Sequence, residues 1–370
     1  MKPIPLTDLR AQYDQIQEDI RAAFDAVFND FAFINGPHIK AFETAFAKLH
    51  GLTGAHAVGV SNGTSALTAA LKAFNLTPGA EVILPSHTFF ATAESVLLAG
   101  YKPVFADIKP GDYTLDPEKV EALITPRTGA IVPVHIYGNM ADMDALNSLA
   151  ARHDLMVLED AAQAQLASWN GQMAGTCGDA GTYSFYPSKN LGAYGDAGLV
   201  LTKHEKLANR VRKLIDHGRE DRYVHDVVGD NLRMDTLQAA FLDVKLKHLP
   251  TWTSQRRTNA QKYDNVFKPA GFKVIDLPQH SNSARHLYIL EVSNRDETMA
   301  HLHSQGIASM IHYPVPLHLQ PALQSVDQGS GDLSVTETIA KRILTLPMFP
   351  ELTDEQIERV GEAVIEVANV

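Results

Sequence analysis

Cysteine is nearly missing from this chain: Cys177 stands alone among 370 residues. One thiol excludes an intramolecular disulfide framework and is the usage expected in a reducing compartment. A basic run is missing too, and the formal net charge is −11, which argues against nucleic acid or an anionic membrane as partner. An anionic substrate would have to be met by local positive groups. No apolar run reaches membrane-spanning length, and the start, Met1-Lys-Pro-Ile-Pro-Leu-Thr-Asp-Leu-Arg10, meets charge too early for a signal peptide. A cytoplasmic protein is expected. No tandem repeat or low-complexity tract stands out, and Gln328 to Gly331 reads as a loop. His301 and His303, two apart on an expected helix, face different sides, so no metal pair is expected.

What is present is an ordinary globular composition, with 45% hydrophobic and 20% charged residues. The length allows one large α/β domain and a smaller one. Ile16, Ile20, Ala23, Phe24 and Val27 give residues 13 to 30 a helical face. Asn35-Gly36-Pro37 breaks it, with Pro37 suited to the first turn of the next helix. Strands are expected at Ala57 to Val60, Glu81 to Pro85, Pro103 to Asp107, Ala130 to His135, Leu155 to Asp160, Thr182 to Tyr186 and Leu199 to Thr202, with helices between most of them. Such alternation implies a mostly parallel sheet with helices on both faces and a ligand site at the strands' carboxyl ends. A helix from about Asp235 to Leu249 is expected to end at Pro250, dividing a large domain, 1–250, from a smaller α+β domain, 251–370. Strands Leu287 to Val292 and Met310 to His312, and helices Glu297 to Gln305 and Asp354 to Val367, belong to the latter.

The chemistry centres on Gly181-Thr-Tyr-Ser-Phe-Tyr-Pro-Ser-Lys-Asn-Leu-Gly-Ala-Tyr-Gly-Asp-Ala-Gly198. A short strand runs into Pro187, and the chain then turns and presents Lys189 in a glycine-rich loop. A lysine held that way suits Schiff-base chemistry, for which pyridoxal phosphate is the usual aldehyde. A lone loop lysine is ordinarily just solvated; the other parts of such a site, in order along the chain, favour the chemical reading. Ser61-Asn-Gly-Thr64 opens a helix whose N-terminus could hold a phosphate, with Gly63 for close approach and Thr64 for its hydroxyl. Phe89, just past a strand end, could stack on a planar ring. Glu159 and Asp160 end an apolar strand but point to opposite faces, so they are not an acid–base dyad. One buried carboxylate, Asp160, could instead keep a pyridine nitrogen protonated, and Gln163 could bond the ring oxygen.

These pieces resemble the DegT/DnrJ/EryC1/StrS family of sugar-nucleotide aminotransferases over nearly the whole chain. The resemblance rests on Asn35-Gly-Pro37 with Phe42-Glu43, Ser61-Asn-Gly-Thr64, Pro85-Ser-His-Thr-Phe89, Glu159-Asp-Ala-Ala-Gln163, Ser184-Phe-Tyr-Pro-Ser-Lys189, Asn231-Leu-Arg-Met-Asp-Thr-Leu-Gln238 and His312-Tyr-Pro-Val-Pro316. It implies the fold type I, aspartate aminotransferase-like α/β architecture and a homodimer with active sites at the interface. It also implies that Lys189 carries pyridoxal 5'-phosphate and that Asp160 partners the pyridine nitrogen. Gln163 would contact the ring oxygen, Phe89 would stack on the ring, and Gly63, Thr64 and Ser184 would hold the phosphate, joined by Asn231 from the other subunit. Arg233, Tyr223, His312, Tyr313 and His318 are the implied sugar-nucleotide contacts.

The implied reaction moves an amino group from L-glutamate to a nucleoside-diphosphate ketosugar, for cell-surface glycan or O-antigen synthesis. The Lys189 loop together with His312-Tyr-Pro-Val-Pro316 looks more like members that aminate C3 than C4. Gln165 departs from the family, where many members carry His, a change expected to leave the chemistry intact. Relatives that dehydrate the sugar replace the lysine by histidine, and Lys189 argues against that. A lyase or desulfurase would need partners for Cys177, and a non-enzymatic sensor would be expected to lose Lys189 or Asp160.

Overall fold

The computed structural model describes residues 2–326 and 331–369, so Gln328 to Ser330 of the expected loop lie outside the described residues. Strands β1 (Ala57–Val60), β2 (Glu81–Pro85), β3 (Lys102–Ala106), β4 (Thr128–Ile131) and β5 (Met156–Asp160) come first. The short β6 (Ser168–Trp169) and β7 (Gln172–Met173) follow, then β8 (Ala180–Ser184) and β9 (Gly198–Thr202). Seven of these form one sheet in the order β1-β9-β8-β5-β4-β2-β3. Pairing is parallel from β3 across to β8, and β9 alone runs against its neighbours on both sides. That is the mostly parallel sheet the alternation predicts.

The pleat explains the near-continuous apolar strands. Ile83, Ile131, Val157 and Leu199 enter one core with Phe42, Phe46 and Leu242. Their neighbours Val82, Leu84, Leu158 and Val200 enter a second, with Leu67, Leu71 and Val211. Helices cover both faces, so strands buried on both sides need no polar alternation. The strand expected over Ala130 to His135 is regular only to Ile131: Val132 N–H still donates to Ile83 O, Pro133 has no N–H to give, and Val134 meets the ladder again opposite Asp160.

Pro250 does not end a helix. One helix runs Thr236–Leu246, and a second, Leu249–Phe267, starts with Pro250 in its first turn. Proline is tolerated there because a first-turn N–H has no intrahelical partner. Division of the chain near residue 250 remains our proposal. Beyond it, β10 (Ser281–Asn282) pairs with β6, and β11 (Tyr288–Glu291) pairs antiparallel with β12 (Ile343–Leu346). The helices Leu249–Phe267, Arg295–Ser304 and Asp354–Val367 close a core around Tyr263, Phe267 and Leu344, and Ile4 from the chain's start joins it. Met310 to His312 is not a strand; Met310 makes only a bridge to Thr345. No helix among the described residues is long and apolar enough to cross a membrane.

Candidate active site

A cavity of about 1230 Å³ opens at the carboxyl ends of the parallel strands, and Lys189 lies in its wall. The loop that presents this lysine is held throughout. Phe185 N–H donates to Ala197 O (2.8 Å) and Ala193 N–H to Phe185 O (2.7 Å), which closes the loop at its base. Lys189 N–H donates to Tyr186 O (2.8 Å), Asn190 Nδ2 to Ala284 O (2.9 Å), and Lys245 Nζ to Gly192 O (2.7 Å). A Cβ on Gly192 would meet Pro187 O at 2.2 Å, so only glycine fits the return. The Lys189 side chain opens partly onto the cavity but is otherwise surrounded by protein. Burial brings its pKa from 10.5 down to about 8, against the opposing pull of Asp160.

Asp160 and Glu159 take opposite faces of β5. Asp160 turns to the cavity, buried, with Thr92 Oγ1 donating to Oδ2 (2.9 Å) and Ala162 N–H to Oδ1 (3.2 Å). Burial raises its carboxyl above the ordinary range, an effect those hydrogen bonds and the charge of Lys189 only partly offset. Glu159 turns inward and accepts from the Gly175 (2.8 Å), Cys177 (2.7 Å) and Gly178 (2.6 Å) N–H groups. His135 adds a fourth bond at 2.8 Å; its Nδ1 accepts from Ala141 N–H, so the proton sits on the Nε2 that faces Glu159. Cys177 is buried, and burial drives its thiol well above the ordinary range.

The cradle at the helix Gly63–Phe74 fits an anion. Asn62 Oδ1 caps Ser65 N–H (2.8 Å), and the first turn, Gly63 to Ser65, lines the cavity. A Cβ on Gly63 would lie 2.7 Å from Ser184 Cβ, so the missing side chain lets β8 come against the helix start. Gln165, buried beneath, donates Nε2 to Ser184 O (2.8 Å) and thereby braces that strand end. With a carboxylate and a low-pKa lysine on the same cavity, these residues fit pyridoxal phosphate: an anion site, a carboxylate to partner the pyridine nitrogen and an amine for the aldehyde.

The facing wall comes from the chain after residue 280. Gln163 Oε1 accepts from Tyr137 N–H (2.6 Å), and its Nε2 donates to the Tyr313 hydroxyl (3.2 Å). The Tyr313 ring lies 5.7 Å from that of Phe89, which is 58% exposed at the cavity. His312 bonds Thr345 Oγ1 (2.9 Å), and burial lowers its pKa to about 4. Sequence reasoning missed His286, which lines the cavity, is held by Asn190 Oδ1 (3.1 Å), and is kept neutral by burial. It missed Thr92 and Tyr137 as well. The only signal for His286 was its place before strand β11, which does not separate it from an ordinary core histidine.

Four expected residues stand apart from this chain's cavity. Asn231 is exposed, and Tyr223 is 78% exposed on the loop after residue 216. Arg233 pairs with Asp216, which also takes Arg219. His318 is tied to Ser86 Oγ (2.7 Å) and Glu337 (3.1 Å). Among the described residues no three His, Cys, Asp or Glu side chains gather as a metal site.

A doubly covered, mostly parallel sheet with such a cavity at its carboxyl ends defines a fold type I pyridoxal-phosphate-dependent enzyme. The chain belongs to the DegT/DnrJ/EryC1/StrS aminotransferase family, whose model matches residues 14–365, and it is a pyridoxal-phosphate-dependent sugar aminotransferase. It is 44% identical to a "pleiotropic regulatory protein" of Geobacillus stearothermophilus, over 98% of each chain. It is 42% identical to a UDP-N-acetyl-3-dehydro-alpha-D-glucosamine 3-aminotransferase of Acidithiobacillus ferrooxidans, over 98% of this chain and 97% of the other. With a dTDP-3-amino-3,4,6-trideoxy-alpha-D-glucose transaminase of Streptomyces venezuelae it shares 41% identity, over 99% and 96%. Among solved structures, DesV of S. venezuelae in complex with a ketimine intermediate superposes with a TM-score of 0.95 at 40% identity, over 99% and 98% of the two chains.

Proposed function

We propose that this enzyme transfers an amino group from L-glutamate to C3 of a nucleoside-diphosphate-linked 3-ketosugar. The observation that carries the reading is the convergence of Lys189, Asp160 and the Gly63 cradle on one cavity. C3 is supported by the relatives that carry a 3-amino or 3-aminotransferase name. A sensor role, suggested by the regulatory name of one relative, is disfavoured because Lys189 and Asp160 are both present and both face the cavity.

In this reading Gly63, Thr64 and Ser184 hold the phosphate, Asp160 the pyridine nitrogen, Gln163 the ring oxygen, and Phe89 packs on the ring. Asn231 reaches the phosphate from a second copy, so the homodimer completes the site. Bound there, pyridoxal phosphate acidifies the donor's α-carbon and stores the amino group between half-reactions. Lys189, with a pKa near 8, is uncharged often enough near neutrality to take that proton and return it. The two hydrogen bonds that Asp160 accepts favour its ionised form against burial, and the carboxylate would stabilise positive charge opposite. His312 and Tyr313 contribute neutral hydrogen-bonding groups to the wall where the sugar would sit. Arg233, Tyr223 and His318 are proposed to meet the nucleotide or sugar in the assembled dimer. A cytoplasmic location and a product used in cell-surface glycan complete the proposal.

The test is to convert the enzyme to its amino form with L-glutamate, remove the excess, and add ketosugars one at a time. A TDP-linked 3-keto-6-deoxyhexose or a UDP-linked 2-acetamido-3-keto uronate should restore the original cofactor absorbance. Restoration by a 4-ketosugar alone would overturn the C3 assignment.

A further inference from the structure

Asp160 does not hold its orientation alone: the Ala162 N–H fixes Oδ1 at 3.2 Å, and Oδ2 needs a second donor. Its strand ends at that residue, and a carboxylate on the last position of a strand is free to rotate unless something fixes it. The donor to Oδ2 comes from the turn that carries Phe89. Thr88 and Thr92 lie on either side of the start of the helix Phe90–Leu98, both buried. Thr88 Oγ1 and Thr92 Oγ1 are 3.1 Å apart, and Thr92 Oγ1 donates to Asp160 Oδ2 at 2.9 Å. Since Thr92 spends its one proton on the carboxylate, the Thr88 hydroxyl is the donor in the other bond, and the chain runs one way, Thr88 to Thr92 to Asp160. A hydroxyl that receives a hydrogen bond is a stronger donor.

We infer that Thr92 is a positioning residue that sets the orientation and ionisation of Asp160, with Thr88 setting Thr92. The inference rests on the reading of Asp160 as the partner of the cofactor's ring. It also ties two sides of the cofactor site together, because one helical turn places both the aromatic Phe89 and the donor to Asp160. The groups facing the carboxylate are Thr92, the Ala162 N–H, Lys189, His135 and Tyr313. Of these, Thr92 is the side chain hydrogen-bonded to the carboxylate, and its hydroxyl can be removed without changing either charge or backbone.

The experiment uses Thr92→Val, which keeps the shape and loses the donor, and Thr92→Ser, which restores the hydroxyl. Carbon-13 NMR on the carboxyl-labelled apoprotein reads the Asp160 titration, assigned with Asp160→Asn; equilibrium dialysis reads cofactor affinity. In Thr92→Val the Asp160 carboxyl should titrate about one pH unit higher and the cofactor bind about tenfold more weakly, as for loss of one charge-assisted hydrogen bond. Thr92→Ser should recover most of both. Unchanged titration and affinity in Thr92→Val would overturn the inference, as would equal impairment of both variants with a matching loss of melting temperature. If Asp160→Asn itself leaves affinity and turnover intact, the reading of Asp160 fails instead.

Discussion

Glu159 and Asp160 are adjacent on one strand and do opposite work. Glu159 is buried inward beneath three backbone N–H groups and His135, and Asp160 faces the cavity beside Lys189. Glu159→Gln should therefore cost stability, about 1–3 kcal/mol for turning an amide toward those donors, with turnover per folded molecule little changed. Asp160→Asn should cost about 100-fold or more in turnover with a nearly unchanged melting temperature. Thermal unfolding and single-turnover rates on both variants would check the division; a stability loss in Asp160→Asn larger than in Glu159→Gln would contradict it.

Lys189 makes a stability prediction with a definite sign. Its folded pKa of about 8 lies below the ordinary 10.5, so between those values the unfolded chain binds more protons and stability rises with pH. The penalty is full below pH 8 and gone above 10.5. The apoprotein of Lys189→Met should therefore be more stable than the parent at pH 7, by no more than about 3 kcal/mol since the cavity leaves part of the amine hydrated. The gap should close as pH rises through that window. Lys245, also lowered to about 8 by burial, is present in both proteins and cancels. Urea midpoints at pH 7 and pH 10 give the answer.

Gly63→Ala should damage the anion cradle. The new methyl would lie 2.7 Å from Ser184 Cβ, and relieving that contact moves β8's end or the helix start at a cost of about 1–3 kcal/mol. Cofactor affinity should fall about tenfold or more, measured by dialysis, and inorganic phosphate should protect the apoprotein from heat less than it protects the parent.

Asn231 tests the proposal that two copies share each site. Because it does not line its own chain's cavity, mixed dimers of Lys189→Ala and Asn231→Ala should contain one site with both residues intact. Co-expressed and purified by two tags, they should recover activity that neither variant has alone. No recovery, with Asn231→Ala itself impaired, would mean that Asn231 acts within its own chain or only through stability.

Much of this was legible because strands buried on both faces write themselves as apolar runs, and because the pleat separates Glu159 from Asp160 by rule. The glycine-rich loop around Lys189 was legible for a similar reason: Gly192 leaves no room for a Cβ. Pro250 misled because proline reads as a stop although the first helical turn accepts it. His286, Thr92 and Tyr137 were invisible because each becomes a site residue only through a partner distant in sequence, Asn190, Asp160 and Gln163 respectively. Arg233 and His318 are sugar-nucleotide contacts by resemblance, and the sequence does not show that the fold gives them Asp216, Ser86 and Glu337 as partners.

The most direct measurement is the first half-reaction alone. The purified enzyme, loaded with pyridoxal phosphate, is mixed with L-glutamate in a stopped-flow spectrometer, beside Lys189→Ala loaded the same way. The parent should lose its visible cofactor absorbance in one turnover and release 2-oxoglutarate, and Lys189→Ala should do so about 10²- to 10⁴-fold more slowly. If Lys189→Ala matches the parent, or if glutamate leaves the parent's absorbance untouched, the account of Lys189 as the residue that moves the donor's proton is wrong.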